Sequence, residues 1–204
     1  MTLPSRRAFA AAAMASLLVG CGGHGASQAT TAAHPRRTSP SPGAAAKKAH
    51  ALGRSVPVRL QIPAIGVDTP LMRLGLAPDG SVQVPPVTAH DRAGWYRHSP
   101  TPGQVGPSVI LGHVTVGAYG DGVFRRLARL HRGERIVARR ENGTAAVFAV
   151  TAVQTVPKAD FPADAVYGDV DRPELRLITC GGPRNGDGYL DNVIVFAALS
   201  SAGP

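Results

Sequence analysis

The chain has 204 residues, 44% of them apolar and 17% charged, with 22 Lys or Arg against 13 Asp or Glu for a net charge of +9. That apolar share excludes a wholly disordered chain, and no apolar run reaches the ~20 residues that a membrane-spanning helix needs. Two cysteines exclude a disulfide-dense scaffold and a four-thiolate zinc site.

The positive charge is concentrated at one end. Residues 1–54 hold seven Lys or Arg and no acid, which leaves 15 basic against 13 acidic residues in 55–204. A nucleic-acid binder would carry its basic stripe on the folded part, interleaved with aromatics. Here no Phe, Trp or Tyr lies between Phe9 and Trp95, so no nucleic-acid partner is expected. A basic tail beside an anionic lipid surface or wall polymer is the more economical reading.

Residues 1–21 read as an export signal: Arg6-Arg7, a short apolar stretch, then Cys21. Ala8 to Gly20 would make about 20 Å of helix, too short for a bilayer core of ~30 Å. Ser5-Arg6-Arg7-Ala8-Phe9 resembles a twin-arginine signal, and Leu18-Val19-Gly20-Cys21 resembles a lipobox. Cys21 is therefore the expected lipidation site, and the protein is expected at the outer face of the cell membrane. Residues 22–54 are Gly-, Ala-, Ser-, Thr- and Pro-rich and basic, with Leu52 the one large apolar side chain. Such a segment buries too little to offset its ordering entropy and reads as a disordered tether.

Residues 55–204 suit one compact domain. Their 3.6-residue periodicity is sparse, and Pro and Gly punctuate short runs. Val56–Ile62 alternates and stops at Pro63, and Ser108–Val116 is mostly apolar. Glu134–Arg140 alternates up to the Asn142-Gly143 turn, and Thr144–Val156 is apolar on both faces. Leu175–Cys180 stops at Gly181-Gly182, and Asn192–Leu199 closes the set. One helix is expected over Val123–His131, from Phe124, Leu127 and Leu130. The fold class is mainly β, a barrel or sandwich.

With Cys21 cut away or lipidated, Cys180 is the one free thiol of the folded part. It ends an apolar strand, a rim position backed by a rigid sheet, and the following glycines would let a substrate backbone approach. A nucleophilic thiol needs a proton partner. His24, His34 and His50 lie in the tether. His90 and His98 sit in a polar stretch, and His131 ends the expected helix, where a cation meets the dipole favourably. His113 closes Ser108–His113, again at a strand end. Each residue alone reads as ordinary packing; the pair at two strand ends reads as chemistry. One cysteine and scattered histidines form no metal shell, and no metal or cofactor is expected.

At these residues the sequence resembles the sortases, cysteine transpeptidases of Gram-positive cell surfaces. Leu177-Ile178-Thr179-Cys180 is similar to the family's Thr-Leu-x-Thr-Cys strand, with Arg176 where the first Thr would stand. Leu111-Gly112-His113 is similar to its Gly-His strand end. Gly94-Trp95-Tyr96, Phe161-Pro162 and Asp191–Ala197 extend the likeness over roughly Val56 to Ala197. Cys180-Gly181-Gly182-Pro183 and Asp191-Asn192 look most like the actinobacterial class F branch.

The resemblance implies a closed eight-stranded β-barrel with one or two short helices. It also implies that Cys180 attacks the Thr–Gly bond of a C-terminal Leu-Pro-x-Thr-Gly-like signal, with His113 as general acid and base. The partners implied are secreted proteins with such signals and an amine from wall precursor or a pilin lysine. Whether thiol and imidazole rest neutral or ionised stays open. The arginine that sortases carry on the strand after the cysteine is missing: Asn192 stands in its slot and Leu190 two residues before. Asn192 and Arg184 are the candidate oxyanion groups, ahead of Arg176, which starts roughly 13 Å from Cys180 along the strand. A papain-like order is excluded because His113 precedes Cys180, and the Ser-His-Gly-Cys stretch of L,D-transpeptidases is missing. The alternative is a lipid-anchored surface-binding domain with a non-catalytic barrel.

Overall fold

A computed structural model describes residues 49–186 and 188–204. The export signal, Cys21 and the tether up to residue 48 lie outside the described residues. Folded structure starts before Ser55. Leu52, the tether's one large apolar side chain, packs on the barrel core, its amide donates to the Gly103 carbonyl (2.7 Å), and Arg140 Nη1 donates to the Gly53 carbonyl (2.9 Å).

The strands are β1 (Pro57–Ile62), β2 (Val67–Leu74), β3 (Ala93–Tyr96), β4 (Gly106–Gly112), β5 (Thr115–Val116), β6 (Gly120–Asp121), β7 (Arg135–Arg140), β8 (Ala145–Pro157), β9 (Pro173–Asn185) and β10 (Gly188–Gly203). Eight of them close a barrel in the order β1-β2-β3-β4-β9-β10-β8-β7, and β5 pairs with β6 in a separate ribbon. The expected eight-stranded closed barrel is therefore what forms. No helix among the described residues is long and apolar enough to cross a membrane.

β4 and most of β9 are buried on both faces because two cores sandwich the sheet there. Leu175 and Leu177 of β9 point into the barrel with Leu60, Trp95, Ile110 and Phe148. Ile178 points outward, with Val109 and Leu111 of β4 and Ile194 of β10. That outer patch is roofed by Val166 of the one-turn helix α1 (Ala163–Tyr167) and by Phe161.

Four expectations are corrected. No helix spans Val123–His131: Leu127–Arg129 is a single 3-10 turn. Phe124, Leu127 and Leu130 are buried as the pattern requires, but their strict three-residue spacing matches 3.0 residues per turn. The bonds agree, with the Leu127 amide donating to the Phe124 carbonyl at 3.0 Å and that of Leu130 to Leu127 at 3.2 Å. His131 consequently meets no helix dipole; its amide is held by Glu134 Oε2 at 2.7 Å. The run Ser108–Val116 breaks at Gly112, because the His113 and Val114 carbonyls turn aside to accept from Phe124 and Gly122 (2.8 and 3.0 Å). β9 does not stop at Cys180 but continues to Asn185. β2 carried no strand signal, since Pro70 sits mid-run. There the strand changes partner, antiparallel to β1 up to Pro70 and parallel to β3 from Leu71.

Candidate active site

Strand register brings the thiol and the imidazole together. β4 and β9 run parallel with Leu111 opposite Ile178, both side chains on the outer face. Two residues further along each chain come His113 and Cys180. Side chains two apart share a face and adjacent strands lie ~4.8 Å apart, so both groups arrive at one rim. Both are half-buried, and both line one cavity of about 170 Å³ with Val84, Leu111, Gly112, Ile178, Thr179 and Asn192. Cys180 is a free thiol.

The His113 backbone is clamped where β4 ends. Besides accepting from the Phe124 amide, its carbonyl lies so close to Gly122 that a Cβ there would collide with it. The ring is held as well: His113 Nε2 lies 2.6 Å from the Pro85 carbonyl. A carbonyl only accepts, so this contact is a hydrogen bond when Nε2 carries the hydrogen.

Asn192 is directly opposite Cys180 in the antiparallel β9–β10 register, on the face shared with Ile194. Directly opposed Cβ atoms lie ~4.5–5.5 Å apart, so the amide lies within reach of the thiol. Arg184 is not brought to this cavity. It is exposed on the β9–β10 hairpin, its guanidinium stacked on Tyr189 at 4.9 Å, and the Tyr189 hydroxyl bonds Thr115 Oγ1 at 2.9 Å.

Arg176 is also elsewhere. It is 3% exposed, donates to Glu174 Oε2 (2.5 Å) and the Ala165 carbonyl (3.1 Å), and lies 4.6 Å over the Phe196 ring. Leu190, in the slot two residues before Asn192, is exposed.

Gly181 and Gly182 are required by the fold itself. A Cβ on Gly181 would come within 2.6 Å of Val193 Cγ2, and Gly182 has φ +71° with Asp191 against it. Val84 and Pro85 are site residues that the sequence reading passed over. They come from the β2–β3 connection, 28 residues before His113 for Pro85, and only the Pro-Pro pair at 85–86 marks the place.

A thiol beside an imidazole on a rigid sheet, with an amide donor across the strand, is the arrangement of cysteine acyl-transfer enzymes. The sortase domain family matches residues 60–200, and the chain belongs to that family, whose members are cysteine transpeptidases. Solved structures agree in fold. The SrtA sortase of Actinomyces oris is 28% identical over 74% of this chain and 82% of its own, with a TM-score of 0.54. Sortase A of Listeria monocytogenes is 15% identical over 73% and 90%, TM-score 0.55, and sortase C-1 of Actinomyces oris is 20% identical over 69% and 72%, TM-score 0.54. Among curated proteins none matches this chain.

Proposed function

We propose that this chain cleaves a C-terminal Leu-Pro-x-Thr-Gly-like sorting signal and transfers the upstream protein to a cell-surface amine. One observation carries the reading: Cys180, His113 and Asn192 line a single cavity open enough for a peptide carbonyl. Cys180 Sγ attacks the Thr carbonyl carbon, and the Asn192 amide donates to the oxygen as it gains charge. The C–N bond breaks, His113 protonates the departing glycyl amine, and a thioacyl-enzyme remains. An incoming amine from wall precursor or a pilin lysine then attacks the thioester, gives its proton to His113, and releases the thiolate. The peptide upstream of the scissile bond runs along the outer face toward a larger cavity of about 480 Å³ walled by Val82, Tyr96, Val109 and Tyr167.

The export signal and Cys21 fit the same reading, a lipid-anchored enzyme working outside the cytoplasm with a basic tether along the membrane surface. The Cys-Gly-Gly-Pro and Asp-Asn stretches support placing it in the class F branch. Incubation with a Leu-Pro-x-Thr-Gly peptide and a glycyl or diaminopimelyl amine, followed by chromatography, tests the proposal. The expected products are the Gly-led fragment and a new amide to the added amine. A chain that binds the peptide and leaves it uncut would instead be a surface-binding domain.

A further inference from the structure

The β2–β3 connection passes over the active-site cavity as a strap, and its chemistry is one-sided. Val84 lines the cavity, Pro85 presents its carbonyl to His113 Nε2 at 2.6 Å, and Pro86 follows. Two consecutive prolines carry no N–H, so at this point the strap has only acceptors to offer the ring.

The strap is also fixed on both sides of the contact. Upstream, the Gly75 amide donates to Gln83 Oε1 (2.8 Å) and the Gln83 amide donates back to the Gly75 carbonyl (3.1 Å). Leu76 bridges Val82 one step inside that pair. Downstream, the Pro86 carbonyl accepts from the Ala89 amide (2.8 Å), which closes a turn. Pro86 holds φ −56° and ψ 146°, and a residue before proline is itself confined to extended backbone. The acceptor is thus preorganised, and it is a main-chain atom that no side-chain change at 85 removes.

Resting on the transpeptidase reading, we infer that the Pro85 carbonyl is a positioning group that fixes the tautomer of His113. In the neutral ring the hydrogen resides on Nε2, and Nδ1 is the nitrogen that exchanges protons at the reacting centre. During acylation the thiol's proton passes through Nδ1 to the departing amine as the C–S bond forms and the C–N bond breaks. During resolution the attacking amine gives its proton to Nδ1 as the C–S bond breaks and the sulfur leaves as thiolate. Nε2 keeps its hydrogen, and its bond to Pro85, throughout.

The test is nitrogen NMR of the full chain labelled with 15N-histidine, followed upward in pH until the ring resonances stop shifting and the rings are neutral. His113 is expected as the Nε2–H tautomer, and a neutral ring protonated on Nδ1 overturns the inference. The double variant Pro85→Gly/Pro86→Gly frees the strap and restores its N–H donors. It is expected to show mixed tautomers and a kcat lowered about ten- to a hundredfold with KM little changed, as removal of an orienting partner gives. Val84→Ala alters the cavity wall and leaves the acceptor, so it is expected to keep the tautomer. Unchanged tautomer and kcat in the double variant also overturn the inference. The tautomer is read without substrate, so it separates from acyl transfer. An active enzyme with an Nδ1–H ring removes the positioning role alone, whereas an Nε2–H ring in a chain that cleaves no peptide removes the transpeptidase reading.

Discussion

The two ends of the outer face of β9 carry similar polar content and use it in opposite ways. At one end Glu174 and Arg176 are buried, and the guanidinium is consumed by the carboxylate, two main-chain carbonyls and the Phe196 ring. Arg172 binds the same carboxylate from the outer side. Four residues on, Cys180 borders a cavity with His113 and Asn192 beside it. A charged group with each of its nitrogens engaged holds a fold together, and removing one partner strands the other. Chemistry needs the reverse, polar atoms fixed in place with a valence still open toward a cavity.

Substitutions at the two ends separate these roles. The largest effect is expected from Cys180→Ala, which should cut transfer by about 10⁴-fold or more while thermal unfolding is unchanged. Equal loss of melting temperature and activity would mean that the thiol is packing. Next comes Arg176→Ala, expected to destabilise by about 3 kcal/mol because Glu174 stays buried. At ~2–4 °C per kcal/mol for a domain of this size, calorimetry should show the fall plainly. Activity per folded molecule should stay within about threefold, and Glu174→Leu combined with Arg176→Met should recover most of the stability. Asn192→Ala is expected to lower kcat about 10²-fold with little change in KM, the signature of a donor used in the transition state. An unchanged kcat would move the oxyanion site away from β10. The smallest effect is expected from Arg184→Ala, within about twofold in steady-state rate, because this guanidinium rests on Tyr189 outside the cavity.

Much of the barrel was legible because its strands are apolar runs bounded by Pro, Gly or Asn-Gly. β7 and β8 show this best, flanking Asn142-Gly143. β2 was not legible, since a proline inside a strand reads as a break unless the change of partner at that residue is known. The helix over 123–131 was misread because three-residue spacing satisfies part of a helical template. Cys180 and His113 were legible as separate residues closing apolar runs. Their meeting depends on the parallel β4–β9 register, a long-range pairing that no local pattern encodes. For the same reason Pro85 was invisible: its contribution is a main-chain oxygen delivered by a distant connection. Gly181-Gly182 was noticed, but its cause lies in Val193 and Asp191 on the next strand.

Intact-protein mass spectrometry after brief mixing with a Leu-Pro-x-Thr-Gly peptide tests the central claim most directly. The expected result is a mass gain equal to the acyl half of the peptide, mapped to Cys180, discharged by added amine and missing in Cys180→Ala. A Cys180 that alkylates freely yet acquires no acyl group from any of several motif variants would contradict it.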